Sequence, residues 1–199
     1  MAKKPGISRD QILDVAEQLM SVNGYAGTAV SAICKEAGVA PTSLYWHFGS
    51  KEGLLAAVME RGAARWFDAL PRWAGENPGE QVLIEHGAAA VGAHPMFLRL
   101  FYLLALEGDA VARELVDRVR ERARDYFTDA IAGLLSSVVD AEIARAAATE
   151  LARFAVAYSD GCFFASQLEP GEVDLARMYT DLVTALRALA PAAIERAAR

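Results

Sequence analysis

The chain has 199 residues, 54% of them hydrophobic, with 7 prolines and 2 cysteines. That composition fits one or two globular domains with a substantial core, and it excludes a disordered chain, a disulfide framework and a paired-cysteine metal site. The formal net charge of −6 excludes a general nucleic-acid coat, but residues 1–61 balance six basic side chains (Lys3, Lys4, Arg9, Lys35, Lys51, Arg61) against six acidic ones, so the near-neutral end is where phosphate contact is expected.

Helix formers dominate, above all alanine, and β-branched runs are nearly absent, so the expected fold class is all-α. The opening MAKKPGISRDQ has basic residues with no apolar stretch behind them, and no signal peptide is expected. Cys34 and Cys162 stand far apart in apolar helical patterns, which suits a reducing, cytoplasmic setting. No metal or cofactor is expected.

The first helix is announced by a Ser8–Gln11 capping box with Ile7 and Ile12 at staple positions; Ile12, Val15, Ala16, Leu19 and Met20 follow at helical spacing, and Asn23-Gly24 supplies a stop. Thr28 can cap a second, short helix that carries Val30, Ile33, Cys34 and Ala37 on one face and ends at Gly38. Pro41 fits the first position of a third helix, where its missing N–H costs nothing. Two short helices joined by a tight glycine-containing turn make a helix-turn-helix.

In the third helix Leu44 and Phe48 stand four apart and point inward, which turns the other side chains out. Thr42 and Ser43 then offer short hydroxyls to base edges near its N-terminus, while Tyr45, His47 and Lys51 flank them as donors to phosphate. Ser50 caps a fourth helix bearing Leu54, Leu55, Val58, Met59, Trp66, Phe67 and Leu70 toward Pro71, long enough to leave a first domain at residues 1–52 for a second at 53–199.

Beyond the loop around Gly75 to Gly79, helices are expected at about 80–92, 95–107, 110–136, 141–167 and 173–196, with Asp109 and Asp140 as caps and Pro170-Gly171 as a turn. Val91 to Leu106 is the most membrane-like segment, but His94, Pro95 and Arg99 break it and it reads as a buried helix, so no membrane partner is expected. The basic residues Arg113, Arg118, Arg120, Arg122 and Arg124 are interleaved with acidic ones and read as a solvated, salt-bridged face.

Two apolar stripes run along the last two helices: Ile143, Ala147, Leu151, Phe154, Ala155 and Tyr158 on one, Leu175, Met178, Tyr179, Leu182, Leu186 and Leu189 on the other. A terminal pair of this kind suits a four-helix dimer interface or closes the chain's own core. Trp66, Phe67, Met96, Phe97, Phe101, Tyr102, Tyr126, Phe127, Phe154, Tyr158 and Phe163 form an aromatic inventory from which an apolar pocket could be built, with His86, His94 or Asp160 as polar anchors.

The run Ile12-Leu13, Gly24-Tyr25, Thr28, Ile33, Ala37-Gly38-Val39, Leu44-Tyr45-Trp46-His47-Phe48, Ser50-Lys51-Glu52 and Leu54 resembles the TetR family of bacterial transcriptional regulators over about the first 60 residues. The resemblance implies an N-terminal three-helix helix-turn-helix DNA-binding domain followed by a larger helical ligand-binding and dimerisation domain. It implies a homodimer, a double-stranded DNA operator and a small-molecule effector as partners, and a regulator, most simply a repressor, rather than an enzyme. Carried onto this chain, it puts Pro41, Thr42, Ser43 and Ser31 near bases and Thr28, Tyr45, His47 and Lys51 near phosphates, with Trp46 supporting the helix or packing along the sugar-phosphate wall.

Two other readings compete. A helical enzyme would need a recognisable reactive constellation, and HExxH, a glycine-rich phosphate loop, GxSxG and paired Cys/His spacing are all absent from the sequence. A helical protein-interaction module would use the aromatic patch for a protein partner and would bind it without regard to DNA.

Overall fold

A computed structural model describes residues 9–71, 79–108 and 110–199. The described residues form nine helices and no strand: α1 (Arg9–Gly27), α2 (Val30–Ala37), α3 (Pro41–Phe48), α4 (Lys51–Asp68), α5 (Glu80–Ala93), α6 (Pro95–Glu107), α7 (Ala110–Leu135), α8 (Ala141–Leu168) and α9 (Leu175–Ala197). The Ser8 side of the capping box, Ile7, the Asp109 cap and the start of the loop at Gly75 lie outside the described residues. Among those described, no single helix is long and apolar enough to cross a membrane.

The helix ends follow the sequence closely. Gly24 adopts φ 74° and ψ 166°, a conformation that breaks α1 where Asn23-Gly24 predicts a stop. Gly38 takes the left-handed conformation after α2, returning its N–H to Cys34 and Lys35 carbonyls. Ser50 caps α4, its hydroxyl accepting from the Gly53 N–H at 3.1 Å, and Asp140 caps α8 by accepting from the Glu142 N–H at 2.8 Å. Asp174, which the sequence reading did not single out, caps α9 in the same way.

The described chain forms two compact units. The first holds the residues up to Arg65 together with His94–Asp117, so it contains α1 to α3, most of α4, and all of α6. A division after residue 52 follows the three-helix head; by packing, this unit also takes in the body of α4 and the α6 segment.

Its core is Ile12, Leu13, Met20, Ile33, Leu44, Leu54, Leu55, Val58 and Met59, all fully buried or nearly so, roofed by Phe97, Leu100, Phe101 and Leu104 of α6. Gly62 leaves room for the Phe97 ring, which a Cβ there would overlap. Arg61 ties α4 to α1, reaching Asp14 at 2.8 Å, Glu17 at 3.0 Å and the Asp10 carbonyl at 3.1 Å.

The second unit comprises Trp66–Ala93 and Arg118–Arg199. The pairing of α8 with α9 and of α5 with α9 dominates it. The inward face of α8 carries Ala144, Ala147, Ala148, Leu151, Ala152 and Ala155, small enough over most of its length for α9 to approach closely. Arg120 reaches from α7 to Asp160 of α8 at 2.6 Å, and Arg122 stacks 4.0 Å from the Phe67 ring centre. Two of the arginines expected on a solvated face thus make contacts outside their own helix.

Candidate functional site

Leu44 is fully buried and Phe48 half-buried, which fixes the rotation of α3. The face opposite Leu44 therefore carries Thr42 and Trp46, one turn apart, and both are exposed. Pro41 and Tyr45 lie along one flank, also exposed; Ser43 and His47 lie along the other, half-buried. Ser31 on α2 is exposed as well.

Trp46 is 81% exposed, and its ring meets the neighbouring His47 ring in a T-shaped contact with centroids 4.7 Å apart. It therefore does not support the helix from within; of the two roles expected of it, only an outward one remains. So large an apolar side chain held in water is the kind of feature that a binding surface carries.

Lys51, half-buried at the start of α4, is held by a short relay. Its ammonium lies 4.4 Å from the centre of the Tyr25 ring, and the Tyr25 hydroxyl donates to Glu52 at 3.1 Å. Glu52 accepts from its own backbone N–H, from Ser50 and from Tyr25, and these bonds hold its carboxyl below the usual carboxylate range. Tyr25 is thus a positioning residue for Lys51 that sequence reasoning missed; its spacing gave no sign of contact with residues 26 or 27 positions away.

Thr28 corrects an expectation. It is only 2% exposed, and its hydroxyl donates inward to the Gly24 carbonyl at 2.7 Å. The N-cap of α2 is Ala29, with no side-chain cap. The kink at Gly24 leaves a carbonyl in need of a donor, and Thr28 satisfies it, so Thr28 neither caps α2 nor presents its side chain to a phosphate.

The second unit encloses a cavity of about 360 Å³, within the usual range for small-molecule sites. Of the expected aromatics, Trp66, Tyr126 and Phe127 line it. Met96, Phe97, Phe101 and Tyr102 do not: they belong to α6 in the first unit, where Phe97 and Phe101 are core. Phe67 lies in a separate, more open depression with Asp68, Arg122, Asp125 and Asp129. Phe154 and Tyr158 are absent from the wall, and Phe154 faces outward.

Most of the remaining wall is aliphatic (Leu70, Leu83, Ile131, Leu134, Leu135, Leu151, Leu182, Val183 and Leu186), with Glu80, Ser137 and Arg187 as polar members. Phe127, Ile131, Leu134 and Leu135 follow helical spacing, a signal that was available in the sequence. Tyr179 also lines it, and burial pushes its hydroxyl well above the ordinary tyrosine range.

Here the expected dimer stripe needs correction. Leu151, Ala155, Tyr179 and Leu182 are buried within their own chain, and Leu151, Tyr179, Leu182 and Leu186 face the cavity. Leu175 and Met178 are half-buried. The face of α8 that is open instead carries Phe154, Ala157, Gly161, Phe164 and Leu168, spaced three and four residues apart and all exposed.

Residues 12–58 match the model of the bacterial regulatory proteins of the tetR family. The HTH-type transcriptional regulator UidR of Escherichia coli K12 is 40% identical over 63 residues, which is 30% of this chain and only 32% of that relative's length. In fold, the chain resembles GusR of Salmonella enterica (TM-score 0.70, 23% identity, covering 93% of this chain and 98% of that one). It also resembles FadR of Bacillus subtilis in complex with stearoyl-CoA (TM-score 0.67, 18% identity, covering 90% and 97%). Residues 12–58 thus carry the reading head of the bacterial regulatory proteins of the tetR family, and the nine helices of the described residues share the fold of these solved structures.

Proposed function

We propose that this chain is a ligand-responsive, sequence-specific DNA-binding transcriptional regulator, a repressor released from a palindromic operator by a small apolar or aromatic effector. The observation that carries the reading is the outward row of α3, where Pro41, Thr42, Tyr45 and Trp46 stand exposed on a helix fixed from behind by Leu44. A short helix held by one buried leucine, with hydroxyls and aromatics facing out, has the shape and chemistry to enter a major groove.

In this reading Thr42, Ser43 and Pro41 meet base edges, with Ser31 beside them, while Tyr45, His47 and Lys51 hold phosphates. Trp46, in line with Thr42, packs against the groove. The Thr28 side chain is not part of the set.

The protein acts as a homodimer in the cytoplasm, and the exposed α8 row Phe154, Ala157, Gly161, Phe164 and Leu168 is the surface we assign to the second copy. Gly161 has open space where a Cβ would stand, so a partner helix can approach there. Two heads so joined would meet half-sites about 34–36 Å or somewhat more apart.

The cavity supplies the effector site. An effector releases DNA only to the extent that it binds the released state better than the DNA-bound one. The chain offers α4 as the lever, since Lys51 belongs to the first unit and Trp66, on the cavity wall, to the second.

Selection of binding sites from random duplex DNA by the purified protein tests this directly. Enrichment of an inverted repeat, bound far more tightly than scrambled duplex at two salt concentrations, is the expected result. Weak, salt-sensitive binding without enrichment would overturn it.

A further inference from the structure

The cavity's polar groups are few, and nearly all are already spoken for. Its two charged wall residues pair with each other: Arg187 donates from Nε to Glu80 at 2.7 Å, with a second contact from Nη2 to the other carboxylate oxygen. Ser137 donates to the Leu134 carbonyl at 2.9 Å, and Tyr179 is hydrogen-bonded to Ser159. The exception is Trp66, whose indole Nε1 is buried and has no hydrogen-bond partner among the described residues. A buried donor left unsatisfied carries a desolvation penalty that an acceptor would remove.

We infer that the cavity takes an electrically neutral, hydrocarbon-rich molecule of about a dozen non-hydrogen atoms bearing one hydrogen-bond acceptor, such as a ketone or ester carbonyl, which accepts from Trp66 Nε1. The size follows from about 360 Å³ of space at roughly 30 Å³ per water-sized group. Neutrality follows from the wall: the Arg187 side chain is 68% exposed and already paired with Glu80, so an ionised head held among the leucines and Ile131 would have no countercharge inside the cavity, and burying it unpaired is costly. Trp66 then sets specificity through one directed bond, while the aliphatic wall supplies affinity without selectivity. The inference rests on the reading of the cavity as a ligand site.

Calorimetric titration of the full-length protein with four probes of one skeleton tests it: 2-decanone, 2-methyl-1-decene (the same shape with the carbonyl oxygen replaced by a methylene), decanoate and decylamine. The ketone is expected to bind most tightly, with both ionised probes at least tenfold weaker. Trp66→Phe is expected to lower the ketone's affinity about threefold to tenfold and to leave the alkene's unchanged. An ionised probe that binds as tightly as the ketone overturns the inference. So does a Trp66→Phe variant that weakens both neutral probes equally, or neither.

If Trp66→Phe fails to fold, as judged by its helical signal and melting, the wild-type comparison decides: ketone and alkene of equal affinity overturn the inference. Failure of all four probes to bind the wild type would overturn the ligand-site reading beneath it. Ala190→Phe, which fills part of the cavity, is expected to abolish binding of every probe that binds the wild type.

Discussion

Gly87 of α5 lies so close against the Tyr179 ring of α9 that a Cβ at this position would overlap it. Gly92, on the same helix, has open space around it. The two glycines should therefore respond oppositely to alanine. Gly92→Ala is expected to raise stability by about 0.5–1 kcal/mol through helix propensity. Gly87→Ala is expected to lower it by about 1–2 kcal/mol, because overpacking exceeds the same propensity gain. Paired urea melts of the two variants check both signs.

The relay from Glu52 through Tyr25 to Lys51 fixes one ammonium at the start of α4. Lys51→Ala is expected to weaken binding to all duplexes alike and to reduce the slope of log affinity against log salt by about 1. Thr42→Ala is expected instead to change which base is preferred at one position of the selected site. Binding isotherms on a panel of single-base variants at several salt concentrations separate the two outcomes, and identical uniform losses would refute the division of roles.

Arg61 is 13% exposed and serves two carboxylates and a backbone carbonyl of α1. Replacing it with methionine keeps the stem but leaves Glu17, itself largely buried, without its partner. A loss of about 1–3 kcal/mol is expected, part of it from the desolvated carboxylate. Urea melts of the wild type and the variant at neutral pH check the loss.

On α8, Phe164 is 42% and Leu168 79% exposed in the row assigned to a second copy. Phe164→Glu is expected to convert a dimer to a monomer in sedimentation or light scattering while leaving the helical signal unchanged. A variant that unfolds would instead place Phe164 in the chain's own core.

Alkaline sensitivity follows from Cys162, a fully buried thiol pushed up by burial from 9.0 to about 11. Below pH 9 native and unfolded chains both keep the proton. Between about 9 and 11 the unfolded chain releases it and the native chain does not, so stability falls as pH rises, by up to about 1.4 kcal/mol per pH unit. The loss is complete above the native value. Urea midpoints from pH 7 to 10.5 should show this decline, and Cys162→Ala should flatten it.

Much of the reading head was legible because its signals are local. Gly24, Gly38, Pro41 and Ser50 punctuate helices through backbone chemistry acting within a few residues, and the Leu44–Phe48 spacing sets which side of α3 faces out. Thr28 misled because a hydroxyl beside a helix start can cap forward or bond backward, and only the carbonyl freed by the Gly24 kink decides between them.

The cavity was far less legible. Periodicity tells that Leu151, Tyr179 and Leu182 turn inward, but not whether inward means another copy or the same chain. Nor does aromatic composition reveal that Phe97 and Phe101 belong with α1 rather than with Tyr126, since that depends on pairings between residues distant in sequence.

The interleaving of the first unit bears on how such a head can be borrowed. Because α6 supplies Phe97, Leu100 and Leu104 to its core, a graft of residues 9–65 alone would arrive with an open apolar seam along α1. A chimera that carries His94–Asp117 along with it keeps that seam closed. By the same logic, a ribosome that has released only the first four helices has not yet delivered the piece that seals them, and the nascent head must wait for α6 to emerge.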